Sequence, residues 1–150
     1  MVTGRTGGPP GMQFVASKAS IDERLSQVPL FAACTKKELR QIGQLMTPVA
    51  VPAGKQLATE GTLGSEFMII VEGTATVTKR GETVANLGPG DWFGEIALLD
   101  DRQTRSATVV ADSDMVVEVV DASSFGTLIE EHPTIARGLL KGLAGIVADS

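Results

Sequence analysis

Cys34, His132 and Trp92 are the only cysteine, histidine and tryptophan among 150 residues, and tyrosine is absent. A single cysteine can close no intrachain disulfide, so a disulfide-stapled secreted scaffold is excluded. The composition suits a reducing compartment, and the expected location is the cytoplasm. With so few imidazole and thiolate groups, a clustered zinc site has no basis, and no metal or other cofactor is expected. Positive charge is also scarce: 13 Lys and Arg stand against 18 Asp and Glu, a formal net charge of -5. Such a chain has no general attraction for a polyphosphate backbone or an anionic lipid surface, so any phosphate it binds must meet a local cluster of donors. Long apolar runs are missing too. The longest, Phe67 to Val71, falls far short of the roughly 20 residues of a membrane span, and the first residues lack the apolar core of a signal peptide.

What is present suffices for one domain. A hydrophobic content of 43% over 150 residues supports a core without staples, since a chain of this length buries roughly 70% of the surface its unfolded form exposes. Residues 1–18 hold four of the 17 glycines and the Pro9-Pro10 pair. That composition reads as a disordered segment and leaves residues 19–150 as the folded unit.

Ser20 with Glu23, and Thr35 with Glu38, have the spacing of capping boxes, which predicts two helix starts. After the second, Leu39, Ile42, Leu45 and Met46 recur at helical spacing, and Pro48 is expected to end the helix. From Val49 the texture changes to short runs rich in Val, Ile and Thr between Gly- and Pro-containing turns. Strands are expected over Val49–Val51, Lys55–Ala58, Phe67–Glu72, Ala75–Lys79, Thr83–Leu87, Ser106–Ala111 and Met115–Val120. Closely spaced strands of this kind predict an α+β, mainly β fold: an antiparallel jelly-roll β-barrel flanked by N-terminal and C-terminal helices. Helical spacing returns at Phe125, Leu128 and Ile129. After His132-Pro133 it continues through Ile135, Leu139, Leu140, Leu143, Ile146 and Val147, a stripe wide enough to face the barrel, a second copy of the chain, or both.

The stretch that carries chemistry is Gly90-Asp91-Trp92-Phe93-Gly94-Glu95-Ile96-Ala97-Leu98-Leu99, followed ten residues after Glu95 by Arg105-Ser106-Ala107. In a β-rich context Gly94-Glu95 and the apolar run behind it read as a strand end turning into one short helix, whose first amides face outward and favour an anion. Arg105 is expected to enter the next strand, with a guanidinium fork able to neutralise that anion. Taken singly, each residue has a plainer reading. Glu95 suits any helix start, Arg105 any surface ion pair, and Ser106 any small strand position. Trp92 and Phe93 read as packing, His132 as a helix boundary, Cys34 as a helix-flanking residue and the loop at 100–102 as solvated.

Together, Phe93-Gly94-Glu95-Ile96-Ala97-Leu98, the ten-residue step and Arg105-Ser106-Ala107 resemble the phosphate-binding cassette of the cyclic-nucleotide-binding domain family, in particular its catabolite activator branch. Glu60-Gly61, Val71-Glu72-Gly73 and Leu87-Gly88-Pro89-Gly90-Asp91 fall where that family places its turn glycines, and the likeness covers roughly residues 25–148. The resemblance implies that Glu95 accepts a hydrogen bond from the ribose 2'-hydroxyl, that Arg105 pairs with an exocyclic phosphate oxygen, and that Ser106 donates to the same phosphate. It also implies that amides near Ile96 and Ala97 complete the cradle, and that Gly94 lets the backbone approach the sugar.

The ligand it implies is cAMP, with cGMP as the second candidate. DNA reading is not expected, since a recognition module would follow Ser150 and only Arg137 and Lys141 supply cations after Pro133. A cupin-type enzyme would need a His-rich ligand cluster, so enzyme activity is not expected either. The function these readings favour is a stand-alone sensor module that reports through its C-terminal helix to a second copy or an effector protein. The alternatives are a degenerate jelly-roll interaction scaffold and the sensor part of a longer regulator.

Overall fold

The computed structural model describes residues 21–100 and 102–149. The segment 1–18, the Ser20 cap, Asp101 of the acidic loop and Ser150 lie outside the described residues. Residues 21–27 form helix α1, followed by a single 3-10 turn, Pro29–Phe31. Helix α2 spans Lys36–Leu45. Its capping box is complete: Thr35 Oγ1 accepts from the Glu38 amide at 3.1 Å, and the Thr35 amide donates to Glu38 Oε1 at 2.9 Å.

Eight antiparallel strands follow: β1 Thr47–Val51, β2 Gln56–Ala58, β3 Glu66–Glu72, β4 Ala75–Lys79, β5 Glu82–Leu87, β6 Trp92–Phe93, β7 Thr108–Ala111 and β8 Met115–Asp121. They form two four-stranded sheets, in the orders β1-β8-β3-β6 and β2-β7-β4-β5. The jelly-roll architecture is as expected, but the strands make two facing sheets and not one closed barrel. The chain ends in helices α3, Ala122–Glu131, and α4, Pro133–Ala148, which meet at His132.

Strand β3 shows why an uninterrupted apolar run belongs here. Met68 and Ile70 enter the core between the sheets with Val51, Ala75, Val109 and Val117. Phe67 and Ile69, on alternate positions, enter a second core with the helices. There Phe31 meets Phe67 edge-on at 5.8 Å between ring centroids and Phe125 at 6.1 Å. One central strand thus serves two cores, so neither face shows a polar alternation.

Three sequence expectations change. Helix α2 ends at its cap Met46, and Pro48 stands inside β1 opposite Glu118. That strand lies at a sheet edge, where a missing N–H is tolerated. Trp92–Phe93 is a strand paired with Ile69 and Met68, too short to show a period of two. The strand expected from Ser106 begins at Thr108, leaving Arg105 and Ser106 in the preceding loop. The cause is backbone pairing elsewhere: the Arg105 amide donates to the Thr62 carbonyl at 2.7 Å, and the Gly61 amide to the Arg105 carbonyl at 2.9 Å.

The glycines of the C-terminal helix have distinct surroundings. A Cβ at Gly142 would overlap the Leu30 carbonyl, and one at Gly138 would press on Cys34 Sγ at 3.1 Å. These two glycines let α4 approach the 29–34 segment of its own chain; of the α4 glycines only Gly145 opens on free space. Leu140 and Val147 remain exposed on α4. Among the described residues no helix is long and apolar enough to cross a membrane.

Candidate functional site

The site begins where β6 ends. Gly94 takes φ 87°, a left-handed conformation that glycine adopts without cost, and caps a 3-10 turn over Glu95–Leu98. The Ala97 amide donates to the Gly94 carbonyl at 3.0 Å, closing the first turn. Ala97 and Leu98 are buried, whereas Ile96 is exposed and Glu95 half-buried. Leu98 enters the helical core with Phe125, Leu128 and Ile135, and the turn is anchored on α3.

Arg105 comes to this turn from the loop before β7. Its Nη2 donates to the Glu66 carbonyl at 2.9 Å. A Cβ built on Gly94 would fall 2.7 Å from Arg105 Nη1, and a Cβ on Gly64 would overlap the Nε, Cζ and Cδ atoms of the same side chain. The guanidinium therefore lies in a slot between two glycines from different parts of the chain, beside the residue that precedes Glu95. Burial pulls its pKa below the usual arginine value, and the charge of Glu66 opposes that shift. Arginine remains cationic at any pH a folded protein meets.

The expected residues are thus brought together in part. Gly94, Glu95, Ile96 and Ala97 form one turn, and Arg105 reaches it. Ser106 is exposed in the loop immediately after Arg105. Arg102, at the loop apex, is 88% exposed and bound to Asp100 at 3.2 Å. A cavity of about 220 Å³ adjoins Arg105 and is lined by Gln56, Thr59, Leu63, Gly64 and Glu66 among others. None of the residues lining it belongs to the Gly94–Leu98 turn.

Sequence reasoning missed Gly64, Thr62 and the Glu66 carbonyl. Gly64 stands three residues after Gly61, and that repeated glycine was the available signal. Its partner, Arg105, is forty-one positions away and is recognised only once the 61–64 and 103–105 segments are paired.

Comparisons with known proteins identify the family. The family model for the cyclic nucleotide-binding domain matches residues 48–132. A cAMP-dependent protein kinase regulatory subunit from Yarrowia lipolytica is 35% identical over 114 residues, covering 75% of this chain and 30% of the relative. The chain therefore spans less than a third of that protein's length. Among solved structures, a cyclic nucleotide-binding-like protein from Brucella abortus has a TM-score of 0.67 at 31% identity, over 74% of this chain and 98% of the other. The N-terminal domain of a transcriptional regulator from Streptomyces coelicolor reaches a TM-score of 0.76 at 24% identity, covering 84% and 93% of the two chains, a likeness of fold. The matched span contains both sheets apart from Thr47, the Gly94–Leu98 turn and Arg105, and the chain belongs to the cyclic nucleotide-binding domain family.

Proposed function

We propose that the chain is a non-catalytic, cytoplasmic regulatory module that binds cAMP and passes the signal through its C-terminal helices. The observation that carries this reading is the placement of Arg105: its guanidinium rests against Gly94, next to Glu95, on a neutral main-chain acceptor. A buried phosphate monoanion is costly unless a cation and oriented donors meet it. Arg105 supplies the cation, Ser106 a hydroxyl one residue on, and the amides of Ile96 and Ala97 lie at the turn. Since the Ala97 amide closes the turn onto Gly94, phosphate binding there shares or replaces that bond. Glu95, repelled by phosphate, addresses the ribose hydroxyl.

The choice of cAMP over cGMP draws on the curated relatives, which are named as cAMP-dependent kinase regulatory subunits. Transmission draws on Leu98, which is buried with Phe125 and Leu128, so a shift of the turn changes the packing of α3. The exposed Leu140 and Val147 on α4 offer the surface through which a second copy or an effector reads the change.

Calorimetric titration with both nucleotides tests the reading. One cAMP per chain, bound more tightly than cGMP, is expected, and cAMP at a hundredfold over its Kd adds about 2.7 kcal/mol of stability. Absence of binding by either nucleotide at millimolar concentration overturns it. Hydrogen exchange then decides the output: altered protection over residues 133–148 with cAMP supports transmission, and change confined to residues 93–108 refutes it.

A further inference from the structure

We infer that Gly64 is a positioning residue for the nucleotide site: its missing side chain forms one wall of the slot that aims the Arg105 guanidinium. The inference rests on the functional reading above and assigns a role to a residue outside the Gly94–Ser106 stretch.

The argument is steric. Gly64 is buried, and a Cβ on it would overlap three consecutive groups of the Arg105 side chain, Cδ, Nε and Cζ. A second wall is Gly94, whose own Cβ would meet Arg105 Nη1 and the Glu66 carbonyl. The planar guanidinium thus lies between two stretches of bare backbone, with Nη2 on Glu66.

The Gly64 wall cannot retreat. Its amide donates to the Gln103 carbonyl at 3.3 Å, Leu63 pairs with Thr104, and the Arg105 and Gly61 backbones exchange bonds with Thr62 and Arg105. The two segments are fastened on both sides of the contact, so a side chain at position 64 moves the arginine and not the backbone.

The two walls differ in a way that makes one of them testable. Gly94 has φ 87°, so any substitution there strains the backbone as well as the slot. Gly64 is not among the residues with positive φ. Alanine at 64 is compatible with its backbone, and the three atoms nearest its methyl all belong to the flexible arginine. The expected consequence is a folded protein with a misplaced cation.

The experiment compares Gly64→Ala with the unmodified chain by cAMP calorimetry, by melting temperature without nucleotide, and by the Nε–Hε resonance of Arg105, assigned through its loss in Arg105→Lys. Losing a hydrogen bond to a charged group through displacement of the guanidinium weakens binding by roughly ten- to hundredfold. The expected result is a ten- to hundredfold weaker Kd, a melting temperature within a few degrees of the unmodified chain, and a shifted Arg105 resonance. Unchanged affinity overturns the inference, as does weakened binding with the resonance in place. Failure of Gly64→Ala to fold also overturns it, because the glycine is then a requirement of the fold. If the unmodified chain binds neither nucleotide, the functional reading fails, while the resonance still decides whether Gly64 sets the guanidinium's position.

Discussion

Arg105 donates from Nη2 to the carbonyl oxygen of Glu66 at 2.9 Å, and this bond holds a cation beside the Gly94–Leu98 turn. A main-chain carbonyl orients a guanidinium without neutralising it. The remaining donors keep both their charge and their fork geometry, which suits two parallel bonds to phosphate.

Replacing Arg105 by alanine is therefore expected to leave the sheets folded while weakening cAMP binding by about 2 to 5 kcal/mol, the cost of removing one partner of a desolvated charge pair. Arg102→Ala is the control. That side chain is 88% exposed and spends its charge on Asp100, so its loss is expected to change affinity by less than about 1 kcal/mol. Calorimetry on both variants checks the order; a larger effect at Arg102 would mean that the loop register is wrong.

The contrast between these arginines was legible in the sequence because it depends on spacing from Glu95. The Thr35 cap was legible for a similar reason: its chemistry is local, closing between residues three apart. Phe67–Val71 read correctly as a strand, although its service to two cores became visible only when both layers were in place. What could not be read were contacts made by absence. Gly64 and Gly142 matter for the side chain they lack, and the group that fills the space comes from a distant segment in each case. Likewise nothing in the sequence shows that Gly138 and Gly142 face the chain's own 29–34 segment.

The capping box predicts an acid-side loss of stability. The Thr35 amide, as the largest cause, holds the Glu38 carboxyl below its usual pKa of 4.5, with smaller contributions from the Thr134 and Thr35 hydroxyls and Lys141 against the opposing effect of burial. A depressed pKa means that the folded state favours the ionised form. Its contribution is present above the unfolded value and is lost as pH falls through the lower folded value. Urea titrations between pH 7 and pH 3 are expected to show this loss below about pH 4.5, and Glu38→Gln should flatten that part of the profile. Thr35→Ala, which removes the hydroxyl acceptor, should cost about 1 kcal/mol at pH 7. A Glu38→Gln profile parallel to the unmodified one would show that this carboxylate does not govern the acid limb.

Cys34 predicts the opposite limb. Burial, and secondly the charge of Glu38, push its thiol up to about 11. The folded state thus prefers the neutral thiol, and stability is expected to fall as pH rises from about 9 toward 11. The thiolate is the reactive species, so alkylation by iodoacetamide at pH 8 should be slow in the folded protein and fast in urea. Equal rates in the two conditions would rule out the half-buried, neutral thiol.

Gly142 and Gly145 give a paired test of how α4 is seated. Each sits in the helix, where alanine is intrinsically better by about 1 kcal/mol. At Gly145 a Cβ meets nothing within 4 Å, so Gly145→Ala should raise stability by about 0.5 to 1 kcal/mol. At Gly142 the same methyl would overlap the Leu30 carbonyl and stand 3.0 Å from the Pro29 carbonyl. Both are backbone atoms of the 3-10 turn, which packs Leu30 and Phe31 into the helical core and cannot yield without disturbing it. Overpacking of this kind costs typically about 1 to 3 kcal/mol, which outweighs the helix gain, so Gly142→Ala should lower stability on the order of 1 to 2 kcal/mol. Urea denaturation of the two variants measures the difference in sign. If both substitutions stabilised the protein alike, α4 would not be seated on the 29–31 turn in solution, and its glycines would be free to face another partner.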